Sequence, residues 1–303
     1  MRALPPARRP CLPHRRALPR PSAGSLSRAR ERGGSQVTNR PPLRISAAQP
    51  DYGRVSRFSH DGLTLVVKHL DSTGSRLHIL VHGIGVASRY FGPLAAQLGR
   101  TGSVVAVELP GMGDAPEPRD AVAMERYGAL LAAWAQAEGI HGAIVIGHSM
   151  GTQVVTEFAL QSPEAVGRVV LIGAVTDPRE RSVLRQSLRL AQDSLRERVD
   201  VNWITASDYV KCGPRFMLKQ APVMVDYPML ERVAGLEQPA LVMRGEHDPI
   251  SRPRWNRAVA AAIPKSRMRT IVDQAHVGMY LDPEASAAII DEFIAETADE
   301  AHR

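Results

Sequence analysis

The chain has 303 residues, of which 44% are hydrophobic, and a net charge of +7 at pH 7. This length and composition are typical of a globular protein that buries a substantial core in one or two domains. No apolar run approaches the roughly 20 residues that cross a bilayer, so the sequence predicts no membrane span.

The positive charge is concentrated in the first 50 residues. They contain 11 arginines, no lysine and one acidic residue, Glu31, so they carry +10 and the rest of the chain carries −3. They also hold nine of the 23 prolines, and proline at that density argues against an amphipathic targeting helix. We predict that residues 1–48 form a solvated, disordered Arg/Pro-rich extension. A targeting segment and an incorrectly assigned translation start stay open as alternatives.

The basic extension gives little reason to expect a nucleic-acid partner. Arginines attract phosphates by simple Coulomb attraction, but the mildly acidic remainder of the chain offers no second basic surface. The two cysteines, Cys11 and Cys212, make neither a disulfide framework nor a C-x-x-C zinc motif. We therefore expect a cytoplasmic protein with no metal and no nucleic acid.

Eight strands are predicted from residue 54 onward. The first two, RVSRFSH and LTLVVKHL, are joined by Asp61-Gly62, the strongest short hairpin signal. The later runs are largely continuous in apolar residues, which is typical of strands buried on both faces. They are RLHILVHG (76–83), SVVAVELPG (103–111), GAIVIGHS (142–149), RVVLIGAV (168–175), PALVMRGEHD (239–248) and RMRTIVDQAH (267–276).

Segments with apolar residues at helical spacing separate these later strands. They are FGPLAAQLGR, YGALLAAWAQAEG, TQVVTEFALQS, WNRAVAAAI and PEASAAIIDEFIAETA. Strands that alternate with helices of this length predict a mostly parallel sheet covered by helices on both faces.

About sixty residues, 179–238, interrupt the alternation and are too many for an ordinary crossover. We predict that they form a helical cap, or lid, over the ends of the strands. The core then consists of residues 49–178 and 239–303. The methionines of the lid, Met217, Met224 and Met229, suit either an adaptable apolar pocket or plain core packing.

GHSMG (147–151) stands between a buried strand and a helix. In such a turn the glycines let the serine project from a strained strand-to-helix connection, and the first amides of the helix point toward developing negative charge. This context favours Ser149 as a nucleophile over a loop serine.

A serine nucleophile also needs a base and an acid that orients the base. In the chain order Ser…Asp/Glu…His, Asp248 at the end of the seventh strand is the favoured acid. Only His276 and His302 follow Asp248, and His302 is the penultimate residue, where chains commonly fray. His276 is therefore the predicted base.

Several neighbouring residues compete for these roles. Glu246 and Asp177 are alternative acids, whereas Asp273 is more readily a local hydrogen-bond partner. His148 and His247 flank the proposed nucleophile and acid, and we interpret them as packing residues that add polarity around the site.

Two backbone amides are expected to stabilise the oxyanion. One belongs to Met150, which follows the nucleophile, and the other to the loop VHGIG (81–85) after the third strand. We assign the second donor to Ile84, with Gly83 as the alternative. The same loop does not bind a dinucleotide, because Ser88 replaces the third glycine of G-x-G-x-x-G. A P-loop is also absent, so we expect no cofactor.

The motifs VHGIG, ELPGMGDA, GHSMG, RGEHDPI and DQAHVGMYLDPE stand in the order found in the α/β-hydrolase superfamily. Over residues ~54–297 the chain resembles the lidded, esterase-like and C–C-hydrolase-like branch of that superfamily. The resemblance implies an α/β-hydrolase fold with an eight-stranded, mostly parallel sheet and a cap inserted after strand 6. It also implies Ser149 as nucleophile, Asp248 as orienting acid and His276 as base.

The leading hypothesis is hydrolysis of a small-to-medium, largely apolar carboxylic ester through an acyl-serine. A rival reaction with the same residues cleaves a carbon–carbon bond in a meta-cleavage-type diketone, for which the lid arginines Arg185, Arg189 and Arg215 are candidate carboxylate contacts. A third hypothesis, from another class, is a ligand-binding homologue without turnover. A burst of p-nitrophenol that disappears in Ser149→Ala would separate the third hypothesis from the first. The sequence leaves the exact substrate and the oligomeric state open.

Overall fold

The computed structural model describes residues 50–180 and 199–301. The predicted N-terminal extension, His302, and the lid residues Arg185 and Arg189 lie outside the described residues. The division of the chain into extension, core and cap therefore stays a prediction.

In the part of the chain that the structure describes, seven strands form one sheet. They are β1 (Arg54–His60), β2 (Leu63–Val81), β3 (Gly102–Glu108), β4 (Ala143–His148), β5 (Val166–Ile172), β6 (Ala240–Gly245) and β7 (Ser266–Ile271). The strand order is β1-β2-β4-β5-β6-β7, with β3 paired to β2, and β4 to β7 run parallel. At the β1–β2 turn Asp61 and Gly62 both have positive φ, 47° and 73°, as a type I′ hairpin turn requires.

The prediction of eight separate strands is wrong by one, because the second and third predicted strands form the single strand β2. Its first half pairs with β1 and β3, and its second half with β3 and β4. Val104 of β3 lies opposite both Leu70 and His78, so β2 passes round the end of β3 and lines both of its edges. The backbone of residues 71–75 stays extended there, although its polar residues and Gly74 are typical of a turn.

Helices cover both faces of the sheet, as predicted. In the described residues they are α1 (Gly92–Leu98), α2 (Met124–Ala137), α3 (Met150–Gln161), α4 (Val199–Cys212), α5 (Pro214–Asp226), α6 (Met229–Val233), α7 (Pro253–Ala262), α8 (Gly278–Leu281) and α9 (Pro283–Ala301).

The strands divide their side chains between two apolar clusters. Val105 and Val107 of β3 belong to the cluster that contains Trp134 of α2, whereas Val104 and Ala106 belong to the cluster on the other face. This separation follows from the two-residue repeat of a strand, which sends successive side chains to opposite faces. It explains why the central strands are continuously apolar.

Three helices, α4 to α6, occupy the interval between β5 and β6 where the sequence predicts a cap. Phe216 of α5 packs on Gly111, which follows β3, so closely that a Cβ at position 111 would collide with its ring. Met217 makes a similar contact with Gly85, which follows β2. Helix α5 therefore lies over the carboxyl ends of β2 and β3. None of the helices within residues 50–180 and 199–301 has the length and apolar character needed to span a membrane.

Candidate active site

Ser149 lies at the sharp turn between β4 and α3. Its φ of 54° and ψ of −122° are rare for a residue with a side chain. Its amide donates a hydrogen bond of 3.0 Å to the carbonyl of Ile172, at the end of β5. A Cβ at Gly147 would collide with the backbone of Gly151, and one at Gly151 with the carbonyl of Val81. Glycine is thus required on both sides of the serine by contacts that the GHSMG pattern anticipates.

Asp248 and His276 form a buried pair beyond the ends of β6 and β7. Nδ1 of His276 lies 2.8 Å from Oδ2 of Asp248, and each residue is 3% exposed. The other carboxylate oxygen accepts hydrogen bonds of 2.8 and 2.9 Å from the amides of Ile250 and Ser251. Burial acts to raise the pKa of Asp248, but His276 and the two amides outweigh it, so this pKa lies below its usual value. The carboxylate is therefore ionised at neutral pH.

The end of β5 brings this pair to the serine turn. A Cβ at Gly173 would lie 2.9 Å from Cε1 of His276, so the imidazole rests against the backbone next to Ile172, the acceptor of the Ser149 amide. The ring of His148, the residue before the serine, has its centroid 4.6 Å from that of His276. Sequence reasoning missed Gly173, which was placed inside the predicted strand 168–175, whereas the observed strand β5 ends one residue before it, at Ile172.

The loop after β2 is held by a buried histidine. The amide of Leu109 donates to Nε2 of His82 at 3.0 Å, and Nδ1 of the same ring lies 2.7 Å from the carbonyl of Gly83. Burial lowers the pKa of His82, so the neutral ring carries its proton on Nδ1 and donates it to Gly83. Because the N–H and C=O of a trans peptide point in opposite directions, the amide of Ile84 faces away from His82.

The amides that could donate to the oxyanion differ in whether they already donate a hydrogen bond within the protein. The amide of Gly83 donates to the hydroxyl of Tyr90 at 3.0 Å, which favours Ile84 as the donor from this loop. Met150 is the first residue of α3, and the first amides of a helix have no acceptor within the helix. The loop lies against the serine, since a Cβ at Gly83 would be 3.5 Å from Oγ of Ser149.

The alternative acids have other partners. Asp177 accepts from Arg254 at 2.6 Å and from the amide of Arg179 at 3.0 Å. Glu246 lies on the exposed side of its loop and accepts from the amide of Asp273 at 3.1 Å. Asp273 enters this contact through its backbone amide, and its carboxylate lies 3.8 Å from Nε2 of His247. Among the candidate acids, Asp248 is the one whose carboxylate contacts His276.

One exposed group in the described ranges offers potential metal ligands. Glu246, His247 and Asp273 bring one ligand atom each within 4.8 Å of one another. All three side chains are open to solvent, and exposed carboxylates commonly cluster without an ion. The expectation of a metal-free and cofactor-free site stays a prediction.

Side chains of α4 and α5 cover the loop that carries Ile84. A Cβ at Gly85 would lie 2.7 Å from the ring of Tyr209 and 2.8 Å from Cε of Met217. Met217 is half-buried there, whereas Met224 and Met229 are buried in the core. Of the three methionines named in the sequence analysis, Met217 alone therefore lies beside the candidate oxyanion loop.

Comparison with known proteins gives one family and several relatives. A family model described as "Alpha/beta hydrolase family" matches residues 79–289. The "Uncharacterized hydrolase YugF" of Bacillus subtilis is 27% identical over 39% of this chain, and the match spans 44% of YugF, less than half of its length. A pimeloyl-[acyl-carrier protein] methyl ester esterase of Aromatoleum aromaticum is 24% identical over 71% of this chain and 97% of that protein. The solved structure of a thermophilic esterase from Thermogutta terrifontis matches with a TM-score of 0.68 and 20% identity, over 80% of this chain and 98% of that one.

Proposed function

The chain belongs to the alpha/beta hydrolase family, and on that premise we propose that it is a hydrolase that cleaves small-to-medium, largely apolar carboxylic esters through an acyl-serine. Ser149 is the proposed nucleophile, His276 the base and Asp248 the acid that orients it. The observation that carries the proposal is the buried hydrogen bond of 2.8 Å between Asp248 and His276 beside the strained serine turn.

The proposed reaction has two halves that use the same groups. Oγ of Ser149 attacks the ester carbonyl carbon while His276 takes the hydroxyl proton. The tetrahedral intermediate then collapses, the bond to the alkoxide breaks, and His276 returns the proton to the leaving alcohol. Water attacks the acyl-serine in the second half, with His276 again as base, and releases the carboxylic acid.

The remaining groups act through electrostatics. Asp248 stays ionised and accepts from Nδ1 of His276, so it fixes the tautomer whose Nε2 is unprotonated and can take a proton, and it stabilises the imidazolium that forms. The amides of Ile84 and Met150 are the proposed donors to the oxyanion. Donors of this kind are effective because they are oriented before the charge develops, and loss of one from a comparable site costs on the order of 3 kcal/mol.

Ester cleavage is favoured over the carbon–carbon alternative by the surroundings of the loop. Tyr209 and Met217 contact it, and their apolar surface suits an acyl chain. Arg215, a candidate contact for a diketone carboxylate, is exposed on α5. The pimeloyl ester esterase among the relatives also acts on an ester, by its name.

Pre-steady-state hydrolysis of p-nitrophenyl acetate and butyrate tests the proposal. The wild type should release a burst of p-nitrophenol and form an acyl adduct on Ser149, detectable by mass spectrometry. Ser149→Ala and His276→Ala should each lower kcat on the order of 10⁴-fold or more, and Asp248→Asn should lower it less. Asp177→Asn is the matched control, since that carboxylate pairs with Arg254.

A folded Ser149→Ala protein with a rate near that of the wild type would refute the proposed nucleophile. An equal loss in Asp177→Asn and Asp248→Asn would refute the assignment of the acid. Esters of increasing chain length, assayed beside a meta-cleavage diketone, would then identify the acyl group that the enzyme prefers.

A further inference from the structure

Two buried side chains outside the proposed triad, Tyr90 and His148, lie between the loop of Ile84 and the segment of His276. Tyr90 belongs to the 3₁₀ turn Ser88–Phe91, and His148 is the last residue of β4. Each is 2% exposed. Oη of Tyr90 lies 2.8 Å from Nδ1 of His148, and their rings meet edge-on.

The direction of each hydrogen bond in this group follows from its end members. The carbonyl of His276 only accepts, and it lies 3.0 Å from Nε2 of His148, so Nε2 carries a proton. The amide of Gly83 only donates, so the oxygen of Tyr90 accepts from it at 3.0 Å. One question remains, which is whether Nδ1 of His148 donates to Tyr90 or accepts from it.

The charge state of the His148 ring determines the direction of this hydrogen bond. Burial, reinforced by the neighbouring His276, lowers the pKa of His148 to about 3, so the ring is neutral at any pH used for assay. A neutral ring with its proton on Nε2 has a bare Nδ1, which accepts from the Tyr90 hydroxyl. The chain of hydrogen bonds therefore runs in one direction, from Gly83 through Tyr90 and His148 to the backbone of His276.

We infer that Tyr90 and His148 are positioning residues that hold the oxyanion loop and the base segment in register with each other. The inference rests on the proposed function of Ser149, His276 and Ile84. Gly83 is held at its amide by Tyr90 and at its carbonyl by His82. The amide of Ile84 shares a peptide group with that carbonyl, so it points away from His82 and can face the reacting carbonyl. His148 fixes the backbone of His276 from the opposite end of the same chain.

Tyr90→Phe removes a single oxygen and leaves the packing of the ring unchanged. It should lower kcat for p-nitrophenyl butyrate by about 10-fold to 100-fold with little change in KM, because a small misplacement of reacting groups acts on the transition state. The Ki of a trifluoromethyl ketone, which forms a tetrahedral oxyanion adduct with serine, should rise by the same factor. If Tyr90 only stabilised the fold, its substitution would not change kcat and the Ki of the inhibitor by the same factor.

Two substitutions of His148 separate the two hydrogen bonds of its ring. Gln carries an amide nitrogen near the position of Nε2 and can still donate to the carbonyl of His276. Asn carries an amide oxygen near the position of Nδ1 and can still accept from Tyr90. Each variant keeps one bond, so His148→Gln and His148→Asn should each retain more activity than His148→Ala.

Tyr127→Phe is the matched control. Tyr127 is a buried tyrosine of α2 whose hydroxyl donates to the carbonyl of Pro110 at 3.2 Å. The Tyr127→Phe variant should lose thermal stability to a similar extent as Tyr90→Phe, yet keep the kcat and the inhibitor affinity of the wild type. An equal fall of kcat in both phenylalanine variants would overturn the inference.

The inference is also overturned if Tyr90→Phe keeps kcat and the inhibitor Ki within about twofold of the wild type while Ser149→Ala is inactive. An active Ser149→Ala protein would instead refute the proposed function itself. Should Tyr90→Phe fail to fold, the comparison of His148→Gln and His148→Asn with His148→Ala decides the matter, and equal activity in all three would overturn the inference.

Discussion

The backbone around Ser149 is so closely packed that positions 147 and 151 accommodate only glycine. Ser149 has a left-handed φ of 54°, a conformation that costs a residue with a side chain about 1–3 kcal/mol. The surrounding contacts must maintain it: its amide binds the carbonyl of Ile172, and Gly147 and Gly151 touch neighbouring backbone. The strain keeps the hydroxyl clear of α3, where a substrate can reach it.

Gly151→Ala is expected to lower the free energy of unfolding by about 1–3 kcal/mol, because the new methyl group would overlap the carbonyl of Val81. Urea unfolding midpoints measure this change. Gly53→Ala is the control, since nothing lies within 4 Å of its added Cβ, and it should stay within about 0.5 kcal/mol of the wild type. Equal midpoints for Gly151→Ala and the wild type would contradict the role of this close contact.

A buried carboxylate of helix α4 binds the segment that follows the candidate oxyanion loop. Asp208 is 4% exposed. It accepts from the amide of Ala87 at 3.0 Å, and its other oxygen lies 2.7 Å from a guanidinium nitrogen of Arg89. One turn away, Lys211 pairs with Asp114 at the surface. The buried contact fixes α4 to the segment that follows the candidate oxyanion loop, whereas the exposed pair is screened by water.

Asp208→Ala should therefore accelerate hydrogen exchange of the α4 amides and destabilise the protein by about 1–3 kcal/mol, because it leaves the buried amide of Ala87 without its acceptor. Lys211→Ala should cost less than about 1 kcal/mol, as is usual for exposed ion pairs. Exchange measured by mass spectrometry on both variants compares them directly. Similar exchange rates in the two would contradict the difference between buried and exposed partners.

Several histidines make the stability of the whole molecule depend on pH. Burial lowers the pKa of His78 and His82, and of His148 to about 3. The pKa of each ring is thus lower in the folded chain than in the unfolded one, where it is about 6.5. Each contribution is present above that unfolded value and declines as the pH falls toward the folded pKa, because the unfolded chain then binds the proton that the folded chain excludes.

For His148 this linkage amounts to about 2 kcal/mol between pH 7 and pH 5. In His148→Gln the loss of unfolding free energy over that range should be smaller than in the wild type by about that amount. Guanidinium titrations at the two pH values give the difference. The exposed His141 supplies the control, and His141→Gln should lose as much as the wild type. Identical losses for His148→Gln and the wild type would show that His148 does not carry the effect.

Local patterns were sufficient to predict most elements of the core. The Asp61-Gly62 turn, the apolar strands and the glycines of the serine turn depend on backbone geometry within a few residues, which the sequence displays directly. The predicted break between the second and third strands was wrong, because long-range strand pairing overrode the local pattern. Residues 71–75 have turn composition, but they stay extended between Leu70 and Ser75, which both pair with β3.

From the sequence we could predict the order of the elements, the serine turn between β4 and α3, and a short list of acids and histidines for the site. The folded chain was needed to show that Asp248 and not Asp177 meets His276, and that His148 joins the backbone of His276 across 128 residues of chain. The two kinds of feature differ in how far along the chain their causes act. Periodicity and turn chemistry act over a few residues, whereas the partner of a buried polar group is chosen by the packing of the whole sheet, which brings the ends of distant strands to one edge.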